Sequence, residues 1–303
     1  MCEVFRRRKA ERREKEMLKT YNELYMTLRK QLRDAGVEAH SLEARLLTAH
    51  AAGKTPERLL ADLQLYSSPA VEERLRALTA RRLAGEPAAY ILGKWEFYGL
   101  ELTVTPDVLI PRSDTEVLVD RALELTENRS AETRILDLCT GSGCIGCALG
   151  VRLPRSHVVL ADLSRAALDV ARCNAKDCGL GVRAICTEAD ALKPPVQQLG
   201  SFDLIVSNPP YIERAEIATL DASVRDYEPR MALDGGEDGL DFYRSITRRW
   251  SRLLRPGGRL LFEVGETQAD AVLELMRGCG FEELAVTEDS GGWRRVVSGR
   301  RQD

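Results

Sequence analysis

Between Tyr21 and Ala84 apolar residues recur every three to four positions: Leu24, Leu28 and Leu32, then Leu42, Leu46 and Leu47, then Leu75, Leu78 and Leu83. That spacing puts each set on one face of a helix, and no strand-like alternation interrupts it, so a small helical bundle is predicted. Ser41, Thr55-Pro56 and Ser68-Pro69 are the expected helix starts. Their side-chain oxygens can take a free backbone N–H, and proline fits the first turn. From Gly85 to Arg112 the pattern breaks. Gly85, Pro87, Gly93, Gly99, Pro106 and Pro111 punctuate aromatic and β-branched residues, which predicts a linker running into a β-hairpin near Phe97 to Ile110.

Beyond about residue 130, short apolar runs alternate with helical patterns, as βαβ units around a largely parallel sheet do. Strands are predicted at Arg134 to Leu138, His157 to Asp162, Ala184 to Glu188, Phe202 to Ser207 and Arg259 to Val264. A helix near Gly239 to Leu254 should stop before Pro256-Gly257-Gly258. Leu284 to Glu288 and Arg294 to Val297 flank Gly291-Gly292, which predicts a closing hairpin and an antiparallel strand. The fold class is α/β, with a small helical domain in front.

Composition narrows the function without naming it. The 303 residues suffice for a nucleotide-binding domain and a smaller accessory one. With 44% hydrophobic and 30% charged residues the balance is that of a soluble globular protein, and no apolar run approaches 18 residues, so no membrane span is expected. A formal net charge of -3 disfavours a protein that holds nucleic acid through a strong overall positive field. The eight cysteines have no framework spacing and fit reduced cytosolic thiols. Cys144 and Cys147 form a CxxC, but no second pair completes a tetrahedral site, so no metal is expected. The run Arg6 to Glu14 mixes both charge signs, unlike a transit peptide.

The chemistry starts at strand Ile135 to Leu138, which enters Cys139-Thr140-Gly141-Ser142-Gly143 and then a helix near Cys144. Glycine lets backbone approach a ligand with no Cβ in the way. Gly141, Gly143 and Gly146 also satisfy GxGxxG, so a dinucleotide site competes with other nucleoside ligands. Asp162 ends the second strand at the separation expected for a ribose partner. Asp190 closes the third, where it can face an adenine edge or simply cap the following turn.

The fourth strand ends in Ser207-Asn208-Pro209-Pro210-Tyr211, beyond the carboxyl ends of the strands where open parallel sheets bind ligands. The prolines stiffen the backbone and leave the carbonyls of Asn208 and Pro209 free to accept. A planar NH2 group offers two donors to match. If the Asn208 side-chain oxygen and the Pro209 carbonyl each take one N–H, the nitrogen lone pair can be aimed in line at a methyl donor. Tyr211 would wall the flat amide. The alternative is an Asn-Pro-Pro turn that merely ends a strand, but a nicotinamide enzyme has no use for this tetrapeptide.

These residues resemble the class I methyltransferases, and more narrowly the release factor glutamine N5-methyltransferases. The likeness runs from about Tyr21 onward. It includes Gly85-Glu86-Pro87, Tyr90 to Gly93, Glu96 to Leu100, Ile110 to Glu116, the loop at 137 to 145, Ser207 to Ile212, Tyr227 to Arg230 and Ala232 to Gly236. The resemblance implies a seven-stranded Rossmann-like domain whose last strand is antiparallel, S-adenosylmethionine as methyl donor, and the glutamine of the Gly-Gly-Gln loop of peptide chain release factors as acceptor. It divides the chain into a charged extension (1–20), a helical substrate-recognition domain (21–90), a linker and hairpin (91–112) and the methyltransferase domain (113–303). By matching position, Thr140, Gly141, Ser142, Gly143, Asp162 and Asp190 would contact the cofactor. Asn208, Pro209 and Tyr211 would carry catalysis, and with Pro210 they would hold the glutamine. Phe97 and the segment Arg112 to Glu116 would line the same pocket, with Arg112 a candidate for the methionine carboxylate, or they would form a packed hairpin and a helix start. Two residues depart from the pattern: Cys139 stands where many members have glycine, and Ala191 where some have an aromatic over the adenine. A cytoplasmic monomer without membrane contact or direct sequence-specific nucleic-acid binding is expected. Adenine-N6 DNA methylation and glutamine methylation of a ribosomal protein remain alternatives, as does a non-catalytic binding module.

Overall fold

The computed structural model describes residues 18–126, 132–195 and 199–302, and the charged run Arg6 to Glu14 lies outside them. Contacts divide the chain into two compact units, Met1–Leu92 and Gly93–Asp303.

The first unit is helical. α1 (Tyr21–Asp34) opens with a reciprocal cap: Glu23 N–H donates to the Thr20 hydroxyl at 3.2 Å, and Thr20 N–H to the Glu23 carboxylate at 2.7 Å. Its Leu24, Leu28 and Leu32 are buried as the periodicity predicts. α3 (Pro56–Ala61) and α4 (Pro69–Leu83) start where expected, with Thr55 accepting from Arg58 N–H and Ser68 from Val71 N–H. Ser41 is not a cap. α2 (His40–Ala52) begins one residue earlier with Ala39 at the cap, because His40 N–H already finds the Val37 carbonyl and the chain is helical before Ser41 is reached. Leu42 and Leu83, at 42% and 45% exposed, fall off the core face. α5 (Ala88–Leu92) replaces part of the expected linker; five residues are too few for a periodicity to register.

In the second unit the hairpin is β1 (Lys94–Phe97) and β2 (Leu100–Thr103), ahead of its predicted place. The reason lies in the turn. Tyr98 and Gly99 both take positive φ, 54° and 76°, the requirement of a tight two-residue hairpin, and a tyrosine does not advertise that conformation. Its surroundings hold it: Tyr98 N–H donates to Glu116, its hydroxyl to Asp120 at 2.6 Å, and the Arg152 guanidinium lies 5.0 Å over its ring.

The main sheet has seven strands in the order β5-β4-β3-β6-β7-β9-β8, where β3 is Arg134–Leu138, β4 His157–Asp162, β5 Ala184–Glu188, β6 Phe202–Ser207, β7 Leu254–Glu263, β8 Phe281–Glu288 and β9 Arg294–Arg301. The first five pair in parallel and β9 runs antiparallel between β7 and β8, as expected of a closing hairpin. β7 begins earlier than predicted, since Pro256-Gly257-Gly258 is carried inside the strand beside a register shift in β6. The helix expected at Gly239 to Leu254 is α9 (Asp241–Arg249), tightening into a 3₁₀ turn at Trp250–Leu253. α6 (Glu116–Glu124), α7 (Cys144–Arg152), α8 (Arg165–Asp177) and α10 (Ala269–Gly278) complete the layers.

Alternation along each strand splits the core in two. Ile135, Leu160, Leu204, Val206 and Leu261 face α6, α7 and α8, while Leu136, Leu138, Ile205, Leu260 and Phe262 face α9 and α10. The chain leaves β3 for β4 on one side and returns as β6 on the other. The strand order therefore reverses beside β3, and a crevice opens at the carboxyl ends of β3 and β6.

Candidate active site

A cavity of about 340 Å³ occupies that crevice, within the range of small-molecule sites, roughly 300–1,000 Å³. Its floor is the loop after β3. Asp137 points under this loop with no solvent exposure, accepting from the Thr140 hydroxyl at 2.6 Å and from Gly146 N–H at 2.9 Å. Burial lifts its carboxyl to about 7, against the pull of those two donors. Asn174 of α8 braces the loop from the other side, donating to the carbonyls of Ser142 and Thr103 at 2.8 and 2.9 Å while accepting Thr103 N–H at 2.7 Å. Neither brace was singled out from sequence. The available signals were an acid inside an apolar strand and an asparagine on the apolar face of α8.

Three consecutive corners of this loop lie in the left-handed region: Cys139 at φ 61°, Gly141 at 54° and Gly143 at 81°. Glycine meets that requirement without cost; a Cβ does not. The departure at Cys139 is thus a strained thiol-bearing residue where the backbone asks for glycine. Cys144 and Cys147 lie buried in the first core; burial raises the Cys144 thiol, and the hydrogen bond with Cys178, then burial, raises that of Cys147, so they behave as packing residues.

Thr140, Gly141, Ser142, Asp162 and Asp190 line the cavity, while Gly143 sits behind them as the residue preceding α7. Asp162 accepts Gly141 N–H and Ser164 N–H, each at 2.9 Å, one on each oxygen. Each oxygen keeps a second lone pair, so the carboxylate that shapes the loop can still take two hydroxyls. Burial raises its affinity for a proton, which the backbone donors counter. Asp190 caps its own turn through Leu192 N–H at 2.9 Å and pairs with Lys193 at 3.0 Å, so its bland role is real even though it faces the cavity. Ala191 is buried, but Leu163, Leu192 and Phe242 also line the cavity and supply apolar wall.

At the far end Asn208 and Pro210 line the cavity. Pro209 is buried behind them, and Tyr211 is half-buried with its side chain packed against the second core. The expected aromatic wall from Tyr211 is therefore not on the cavity surface. Two glycines back this loop. A Cβ on Gly235 would meet Tyr211 Cα at 2.7 Å and the Pro210 carbonyl oxygen at 2.9 Å, and one on Gly239 would meet the Tyr211 carbonyl oxygen at 2.4 Å. Arg112 and Thr115 also line the cavity. The Arg112 guanidinium donates to the buried carboxylate of Glu228, which steadies it but occupies part of its charge. Phe97 does not reach the site: at 1% exposed it is a core residue of the first layer, because its strand alternates inward there. Asp114 instead pairs with Arg295 at 2.9 Å, and Glu116 holds the hairpin turn.

The residues present fit an adenosyl sulfonium cofactor: a positive-φ glycine loop, a carboxylate with spare lone pairs beyond β4, and an apolar wall meet in one cavity. No group of three or more metal-ligating side chains occurs among the described residues.

Known proteins agree. Residues 23–93 match the family model described as PrmC N-terminal domain, and residues 114–225 the one described as Methyltransferase small domain. A release factor glutamine methyltransferase of Geobacter sulfurreducens is 44% identical, over 89% of this chain and 92% of its own. One of Moorella thermoacetica is 43% identical, over 92% and 100%. Among solved structures, the hMettl16 catalytic domain, crystallised with the MAT2A 3′UTR hairpin 6, matches at 18% identity with a TM-score of 0.57. The match covers 75% of this chain and 82% of that one, and it bears on the fold alone. With such identity held over nearly whole lengths, the chain belongs to the release factor glutamine methyltransferases.

Proposed function

We propose that this enzyme transfers a methyl group from S-adenosylmethionine to the side-chain nitrogen of the glutamine in the Gly-Gly-Gln motif of peptide chain release factors. The observation that carries the reading is the meeting of Asn208 and Pro210 with Thr140, Gly141 and Ser142 and with Asp162 in one cavity at the strand-order reversal. The cofactor supplies an electrophilic methyl on a sulfonium. Everything else falls to the chain.

A primary amide nitrogen is a weak nucleophile because its lone pair is delocalised. Asn208 Oδ1 and the Pro209 carbonyl accept its two N–H groups, which fixes the nitrogen and turns electron density toward the donor. The stiff diproline backbone, backed by Gly235 and Gly239, keeps those acceptors in place. No strong base is needed before attack, since the alkylated nitrogen becomes acidic and loses its proton afterwards. Thr140, Gly141, Ser142 and Gly143 hold the cofactor, Asp162 its ribose and Asp190 its adenine edge. Arg112, half committed to Glu228, lines the cavity as the candidate partner for the methionine carboxylate.

The helical unit, matched by the family's N-terminal model, serves to grip the release factor. The reaction belongs in the cytoplasm with translation termination, and no described helix is long and apolar enough to cross a membrane. The test is to offer methyl-labelled S-adenosylmethionine with either an intact release factor or duplex DNA. Label in the release factor is the expected result; label in DNA adenine would overturn the proposed acceptor.

A further inference from the structure

Asn208 can serve an NH2 substrate only if its amide faces the cavity oxygen-first. A side-chain amide has two nearly isosteric faces, and which one points outward is set by the groups behind it. Beside Asn208 are Thr115, which also lines the cavity, and the buried Glu263. Asn208 Nδ2 lies 3.2 Å from Thr115 Oγ1 as donor to it. Glu263 ends β7 immediately beside Asn208, since Ser207 and Phe262 are register partners. Glu263 is 3% exposed, does not line the cavity, and its Oε2 has no hydrogen-bond partner. Thr115 and Asn208 hydrogen-bond this carboxyl, yet a buried carboxylate oxygen left without a partner is costly and calls for a reason.

We infer that Glu263, acting through Thr115, is the positioning residue that keeps the Asn208 amide turned oxygen-outward for its substrate. The inference rests on the proposed glutamine methylation.

An ionised carboxylate only accepts hydrogen bonds. Thr115 has one hydroxyl proton; directed at Glu263, it leaves Thr115 Oγ1 able only to accept, and Asn208 must then present Nδ2 inward and Oδ1 to the cavity. A protonated Glu263 reverses the chain of donors. It can donate to Thr115, whose proton is then free for Asn208 Oδ1, and the turned amide offers N–H groups to a substrate that itself brings only N–H groups. The orientation that methylates is thus tied to the ionised acid.

Burial lifts Glu263 to about 7, with the nearby Asp114 raising it and Thr115, Arg295 and Asn208 lowering it. Asp137, under the cofactor loop, also rises to about 7, so the comparison of wild type with Glu263→Gln, and not the wild-type limb alone, assigns the effect; the groups packed beside Glu263 do not titrate there. Burial and the Glu263 charge raise both Tyr211 and Tyr243, and Tyr243 donates its hydroxyl to the Glu263 carbonyl at 2.9 Å. Burial also raises the Cys144 thiol. Asp114 and Arg295 form an ion pair at 2.9 Å, and their charges act on Glu263 in opposite directions.

The test is the pH dependence of kcat with a release factor at saturating cofactor, paired with direct cofactor binding over the same range. Wild type should lose kcat roughly tenfold per pH unit below an apparent pKa near 7, while cofactor affinity stays flat. Glu263→Gln keeps the shape but cannot choose an orientation. It should lose the acid limb and run at least roughly tenfold slower on the alkaline side, with cofactor binding unchanged. Thr115→Val should lower kcat similarly and Thr115→Ser should restore it, which covers the case in which Glu263→Gln fails to fold. An acid limb that persists in Glu263→Gln, or full activity in Thr115→Val, would overturn the inference. Absence of glutamine methylation by the wild type at every pH would defeat the proposed reaction instead.

Discussion

At Cys139 the backbone is left-handed, a conformation that costs an L residue roughly 1–2 kcal/mol and glycine little. A β-branched side chain there is worse still, so Cys139→Val should lower stability by about 1–3 kcal/mol, measurable by denaturant unfolding, with weaker cofactor binding as the loop shifts. Unchanged stability would show that the loop relaxes freely. Asn208→Ala removes one of the two proposed amide acceptors and leaves the glycine loop untouched. It should slow methyl transfer by roughly 100-fold or more while cofactor affinity, followed by calorimetry, stays within about twofold. That Asn208, Pro210, the glycine loop and Asp162 gather at one cavity could be anticipated from sequence, because backbone freedom, proline stiffness and an acid at a strand end are local properties; the wall expected from Tyr211 could not. Asp137, Asn174 and Glu263 were not, because their importance comes from what lies across the sheet: a buried polar group is recognised only once burial is known. Phe97 was misplaced for the same reason, since strand alternation does not say which face is the pocket.

Among the elements, the loop Asn208 to Tyr211 depends on the segment it leans on. Ile212 N–H donates to the Leu233 carbonyl at 3.0 Å and Gly235 N–H to the Ile212 carbonyl at 2.9 Å, so the two chains lie side by side. A methyl at Gly235 would collide with backbone, which cannot swing away as a side chain can. Gly235→Ala should therefore displace Pro210 and Tyr211 and depress kcat at least roughly tenfold, with cofactor binding retained. A variant with wild-type kcat would show that the loop is not held there. The strands of the parallel sheet were readable because runs such as Leu204-Ile205-Val206 are apolar on both faces and bounded by polar turns. The first hairpin was not, because its turn uses Tyr98 where the sequence suggests only Gly99, and the energy that holds it there comes from Glu116, Asp120 and Arg152.

For the molecule as a whole, two buried carboxyls tie stability to pH. Asp137 and Glu263 both rise to about 7 in the fold from ordinary values of 3.8 and 4.5. Between roughly pH 4 and 7 the folded chain holds protons that the unfolded chain has released, so this contribution favours folding at low pH and fades as pH rises through 7. Replacing Asp137 with Asn should flatten that slope in unfolding experiments. A slope unchanged in the variant would assign the effect elsewhere. Ligand linkage acts on the same equilibrium: S-adenosylmethionine at 100 times its Kd should stabilise the folded enzyme by about 2.7 kcal/mol, and Asp162→Ala should lose much of that gain at the same concentration. The division into a helical unit and an α/β unit was visible as a change of periodicity, from a helical repeat between Tyr21 and Ala84 to short apolar runs after about residue 130.

The most direct test of the account is to react the full chain and an intact release factor with methyl-labelled S-adenosylmethionine and locate the label by tandem mass spectrometry. The account predicts one methyl on the side-chain nitrogen of the Gly-Gly-Gln glutamine, abolished by Asn208→Ala. Label at any other atom of the release factor, or label on that glutamine undiminished in Asn208→Ala, would contradict it.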